Sequence, residues 1–230
     1  MTTPPSQKQN TLPPGVRLLL GIFLSAVLLS VVIVFASVPF VFESQTIRYK
    51  FGWDKTFLRT GQVLGMIAGT LLFLQLLWAS RLQFLDSLFG VKMLFQIHRI
   101  AAFCLALFAL LHPLFVFFPE DISNLSVELK YWPEMLGGFL LLAVWFLVAV
   151  ANWRSFLELS FTKWRRLHQI NAFIVLVMLF FHVLFVSESF TEGVPKLGLF
   201  VMSGFFLLLF AWVRLRTFVT KKNKGDTQKK

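Results

Sequence analysis

The chain has 230 residues, of which 57% are apolar and only 14% charged, with a net charge of +11. A soluble domain is about 45–50% apolar and about 25% charged, so the composition excludes an ordinary soluble enzyme and points to an all-α bundle of membrane helices. Cys104 is the only cysteine; it excludes an intrachain disulfide or a cysteine metal cluster, and within an apolar run it is expected to be a small buried residue.

Residues 1–15 are polar and proline-rich, with no basic n-region or cleavage site. They are expected to form a disordered cytoplasmic N-terminus before a retained first helix. A spanning helix needs about 20 mostly apolar residues. Six segments meet or approach that requirement: Val16 to Phe40, Gly61 to Ser80, Met93 to Phe118, Met135 to Ala151, Leu167 to Val186 and Leu197 to Val213. The second carries Gly61, Gly65 and Gly69 at spacing four, a stripe that lets helices approach closely. The third holds His98, His112 and Pro113, and the proline is expected to kink it. The longest loops run from Val41 to Arg59 and from Pro119 to Glu134; the latter contains Glu120 and Asp121, read as a solvated acidic loop. In the fifth segment Trp164 precedes His168 by one turn and is read as an interfacial anchor. The domain spans 16–216, and 217–230 form a basic cytoplasmic tail, expected to be disordered.

With both termini inside, 16 of the 22 basic residues fall on the cytoplasmic side and eight of the 11 acidic residues fall outside. The basic excess therefore records the positive-inside rule and is not a nucleic-acid footprint. A multi-pass protein of the plasma (inner) membrane is expected, with the lipid bilayer as its first partner.

All four histidines lie in the third and fifth segments, as HRIAAFCLALFALLH from His98 to His112 and HQINAFIVLVMLFFH from His168 to His182. Both pairs are fourteen residues apart. Fourteen steps of about 100° fall about 40° short of four turns, and the rise separates the two members by about 21 Å. Each pair thus lies on one helix face and crosses most of a hydrocarbon core of about 30 Å. The two helices run in the same direction, so His98 and His168 share the inner depth, and His112 and His182 the outer.

Strongly polar groups inside membrane helices are costly and mark function. Two imidazoles on facing helices suit the axial positions of a planar metal macrocycle such as haem. Cross-helix hydrogen bonding is the plainer reading of any one histidine, but four matched in spacing, direction and depth weigh against it. Zinc needs three or four ligands around one ion, which pairs about 21 Å apart do not provide. A proton relay usually includes intramembrane carboxylates, and the helix interiors carry none.

The doubled His-x13-His helices, with WRRLHQI opening the fifth span and FGVKMLFQIHRIAAF leading into the third, resemble the ferric reductase-like transmembrane domain shared by ferric reductases and NADPH oxidases. The resemblance covers roughly Gly61 to Arg216. It implies two b-type haems stacked across the bilayer, the inner one held by His98 and His168 and the outer by His112 and His182. It further implies electron flow from a cytoplasmic reductant to an outer-side acceptor such as ferric iron or oxygen. Eukaryotic relatives usually continue into flavin- and NADPH-binding domains. Here no such domain follows the sixth span, and no Gly-x-Gly-x-x-Gly after a predicted strand and no P-loop occurs. The donor is therefore expected to be a separate cytoplasmic flavin reductase, with FMN or FAD on that partner or at the cytoplasmic face.

The chain also resembles the haem-binding membrane subunit of the methionine sulfoxide reductase system, which feeds a periplasmic reductase and typically lacks a histidine corresponding to His98. A reading of another class is a haem-free transporter or assembly subunit, although no repeat of broken midplane helices is evident. Arg81, Lys92, Arg99, Lys163, Arg165 and Arg166 flank the expected inner haem. Topology accounts for each singly, while together they would suit haem propionates, a flavin phosphate or an acidic redox partner.

Overall fold

In lipid a backbone N–H or C=O finds no water, so a chain this apolar must satisfy its peptide groups within helices or a closed barrel. The computed structural model, which describes residues 13–42, 51–118 and 128–227 with side chains to 216, takes the helical solution; there is no strand among the described residues. The helices are α1 (Pro14–Val41), α2 (Gly52–Ala79), α3 (Gln83–Phe89), α4 (Val91–Phe117), α5 (Trp132–Asn152), α6 (Phe161–Val186) and α7 (Gly193–Thr227). All but α3 are long and apolar enough to span a membrane, which makes the chain an integral multi-pass membrane protein. The outside of the bundle is correspondingly greasy: Leu19, Phe23, Leu142 and Leu208 are each about two-thirds exposed or more. In water that surface would drive aggregation, and in lipid it is the solvated face.

α4 packs along α2, and α6 along α5. α4 and α6 stand further apart across the centre, which is where the histidines lie. A core cluster that includes Leu72 and Phe73 of α2, Leu105 and Ala106 of α4, and Val175 and Leu176 of α6 fills the middle of the bundle. Leu105 lies midway in sequence between His98 and His112, and Val175 midway between His168 and His182. α1 rides on the outside and is pinned near both ends by arginines. Arg17 Nε donates to the Leu88 carbonyl at 2.7 Å, and Arg59 of α2 donates to the Pro39 carbonyl.

Several boundaries differ from the sequence expectation. α2 begins at Gly52 instead of Gly61, so much of the loop expected from Val41 to Arg59 is helix. Asp54 in its first turn suits the positive end of the helix dipole, and Phe57 packs on Phe118 with ring centres 4.2 Å apart. α6 begins at Phe161 instead of Leu167 because Ser160 caps it, accepting a hydrogen bond from the Lys163 N–H at 3.4 Å.

α7 continues to Thr227, through most of the tail expected to be disordered; extending an existing helix needs no new nucleus, and lysine is a good helix former. The short α3 was not anticipated. Gly90, at φ 80°, both ends α3 and opens α4, a backbone conformation in which a side chain would be strained. α4 includes Pro113 and ends at Phe117. Cys104 is exposed, not buried: six residues from His98, it lies about 120° around the helix from the inward face, toward lipid. Residues 1–12, Arg48, Lys50, Glu120, Asp121 and 228–230 lie outside the described residues.

Candidate functional site

The structure brings the four histidines together as two cross-helix pairs. His98 of α4 and His168 of α6 have ring centres 6.3 Å apart and planes at 60°. His112 and His182 are 6.4 Å apart with planes at 79°. His98 and His168 lie at the end of the bundle that carries Arg81, Lys92, Arg154, Lys163, Arg165 and Arg166, here called the basic end.

Three of the rings are fixed from behind. His112 Nδ1–H donates to the Gly61 carbonyl at 2.8 Å, His182 Nδ1–H to the Pro133 carbonyl at 3.0 Å, and His98 Nδ1–H to the Gln75 carbonyl at 3.3 Å. A carbonyl can only accept, so each Nδ1 carries a proton; in the neutral ring that leaves a lone pair on Nε2, the form a metal requires.

The glycines follow from this contact. Within a helix a carbonyl points toward the residue four positions on, so a ring that bonds to the carbonyl lies over that residue. One turn after Gly61 is Gly65, and one turn after Pro133 is Gly137. A Cβ at Gly65 would stand 2.7 Å from His112 Nδ1, and one at Gly137 would stand 2.5 Å from His182 Cε1. After Gln75 comes Ala79, and there the contact is the longest of the three. The glycine stripe in the second span was read as packing. Gly61 does meet Val116, and Gly69 meets Leu179, but Gly65 also seats a histidine. Gly137 was missed, although its place four residues after Pro133 repeats the place of Gly65 after Gly61.

Metal–nitrogen bonds of about 2 Å and imidazole radii of about 1.1 Å would put two axial rings about 6.2 Å apart on one iron. Both pairs match that span. Among the described residues no three His, Cys, Asp or Glu side chains converge on one point. The candidate donor sets are therefore pairs of imidazoles at two depths, which suits two haems better than a zinc centre.

The remaining residues singled out in the sequence divide. Trp164, read as an interfacial anchor, has its ring 5.5 Å from that of His168 and its Nε1 buried without a hydrogen-bond partner among the described residues. Arg81 is engaged by Asp86 at 3.1 Å. Arg214, not singled out with the flanking group, donates to Gln169 at 2.8 Å. The Gln75 side-chain amide is also buried without a partner among the described residues, on the residue whose carbonyl anchors His98.

A bundle of six membrane spans with two inward histidine pairs defines a class of membrane redox component. The chain matches the family model described as "Ferric reductase like transmembrane component" over residues 64–179, half of its length, and it belongs to that family. The match includes His98, His112 and His168 and ends three residues before His182; it is shorter than the stretch from Gly61 to Arg216 over which the resemblance was read. No curated protein and no solved structure matches the chain.

Gly137→Ala forces the His182 ring or α5 to shift, and overpacking of this kind costs about 1–3 kcal/mol. At Gly138 an added Cβ meets nothing within 4 Å. Thermal unfolding in detergent should show Gly137→Ala clearly destabilised and Gly138→Ala close to the parent; equal midpoints for the two would contradict the seating of His182 on Gly137.

Proposed function

We propose that this chain is a membrane electron-transfer component carrying two b-type haems, the inner one held by His98 and His168 and the outer by His112 and His182. Electrons pass from a separate cytoplasmic flavin reductase to an outer-side acceptor such as ferric iron or oxygen. The observation that carries this reading is the matched separation of the two imidazole pairs, 6.3 and 6.4 Å, at two depths of one bundle. When bound, the haems would supply reversible one-electron chemistry at iron.

The chain's own residues provide the rest. The Gly61, Gln75 and Pro133 carbonyls hold three imidazoles in the ligating tautomer and raise their basicity. Gly65 and Gly137 let two of the rings sit directly on helix backbone. Leu105, Ala106, Val175 and Leu176 keep the space between the two levels apolar and closed to water. The basic end, on the positive-inside rule, faces the cytoplasm and attracts an acidic flavoprotein partner.

The pairing fixes the pattern of single substitutions. His98→Ala and His168→Ala should each remove one haem and leave the same residual spectrum, while His112→Ala and His182→Ala share a different one. Pyridine haemochrome assay and redox titration of each purified variant measure this. If His98→Ala matched His112→Ala instead, the cross-helix pairing would be wrong. The unsubstituted protein should hold two haems per chain; a fully loaded preparation with one would favour a subunit of the methionine sulfoxide reductase type.

The donor is tested separately. In purified, partner-free protein the haem spectrum should stay oxidised after addition of NADPH and become reduced once a flavin reductase is supplied. Rapid reduction by NADPH alone would place the flavin and nicotinamide chemistry on this chain.

A further inference from the structure

The two histidine helices repeat one another. Between residues 98–116 and 168–186, eight of nineteen positions are identical: the two histidines with Ile100 and Ile170, Ala102 and Ala172, Phe103 and Phe173, Leu114 and Leu184, Phe115 and Phe185, and Val116 and Val186. The same offset of seventy pairs Trp164 with Leu94. Leu94 is 3% exposed and fills its place with apolar atoms alone. Trp164 fills the matching place with an indole whose N–H is buried and has no acceptor among the described residues. A buried donor without a partner costs about 1–3 kcal/mol, a cost the leucine at the equivalent position avoids.

The surroundings indicate what the N–H would meet. The Trp164 ring lies 5.5 Å from the His168 ring and about 6 Å, one helical turn, nearer the basic end. The Arg154 guanidinium lies 5.9 Å from the Trp164 ring centre and 5.9 Å from that of Phe161. Arg154 comes from the link after α5 and Trp164 from the first turn of α6, so a cation from one element lies over the indole of another that neighbours the metal-ligand candidate His168. Together they present positive charge and a hydrogen-bond donor, the chemistry that recognises a carboxylate.

We infer that Trp164 and Arg154 form a carboxylate clamp that holds a propionate of the haem ligated by His98 and His168. The inference rests on the haem assignment proposed above. Trp164 and Arg154 are positioning residues: they touch the edge of the cofactor and leave its iron to the histidines. The N–H and the guanidinium offset the propionate's negative charge. Without them that charge bears more strongly on the iron and favours its oxidised form, so the midpoint potential falls. The outer haem, about 21 Å away along the axis, lies beyond their reach.

The test uses the full-length protein in lipid nanodiscs, loaded with haem labelled with carbon-13 at the propionate carboxylates. Trp164→Phe keeps an aromatic ring and removes the N–H. It should retain two haems by pyridine haemochrome, lower one midpoint potential while leaving the other unchanged, and shift one labelled carboxylate band in redox-difference infrared spectra. Arg154→Gln should move the same potential in the same direction. If Trp164→Phe loses one haem, Trp164→Tyr, which restores a donor, should recover it; a loss shared by both variants overturns the clamp. Two haems with unchanged potentials and bands in Trp164→Phe overturn the clamp and leave the haem assignment standing. A parent protein that binds no haem overturns both.

Discussion

The structure depends on imidazoles laid directly onto the backbones of neighbouring helices. A histidine in lipid must hide its polar atoms or use them, and here three rings use Nδ1 on a carbonyl that already belongs to a helix. A carbonyl oxygen has two lone pairs, so the ring takes the second without breaking the helix ladder. The cost is steric and falls on the residue one turn further along, which must be glycine for the closest approach, as at Gly65 and Gly137. This one contact places the proton on Nδ1 and brings α2 close against α4 and α5 close against α6.

The contact occurs twice with the same grammar. α2 supports His112 through Gly61 and Gly65, and α5 supports His182 through Pro133 and Gly137. Together with the sequence likeness of α4 to α6, this gives α2 with α4 and α5 with α6 the same pattern of support. α4 and α6 run in the same direction with equal histidine spacing, so rings at equivalent positions meet at equal depth: His98 with His168 and His112 with His182. The pattern holds closely at the far end and weakens at the basic end. There His98 is held by the Gln75 carbonyl at a longer distance, and His168 is flanked by Trp164.

Much of this was legible in the sequence because lipid leaves the chain few choices. The six spans could be read from hydropathy and length, and the histidine pairs from a spacing of fourteen, since helix periodicity puts both rings on one face. Span ends were less legible. They are set by local contacts that hydropathy does not weigh, such as the Ser160 cap and the Phe57–Phe118 contact. Trp164 was read as an interfacial anchor because aromatic residues near a span end usually mark the interface; its contact with the His168 ring follows from lying one turn away on the same face, while the burial of its N–H shows only in the fold. Gly137 was missed for a related reason. Its role depends on lying one turn beyond a carbonyl that a residue 49 positions away approaches, and no local pattern encodes that distance.

The apolar centre ties these features to the proposed function. α4 and α6 stand apart, yet Leu105, Ala106, Val175 and Leu176 close the space midway between the histidine levels. A water-filled passage there would connect the two faces of the membrane and admit protons or ions. A continuous stack of metal ligands would be needed only if the groups had to touch. Electron transfer needs neither, because electrons tunnel across a short apolar barrier that blocks ions. A dry plug between two polar levels is therefore the arrangement expected of a conductor of electrons, and it would be an obstruction in a transporter.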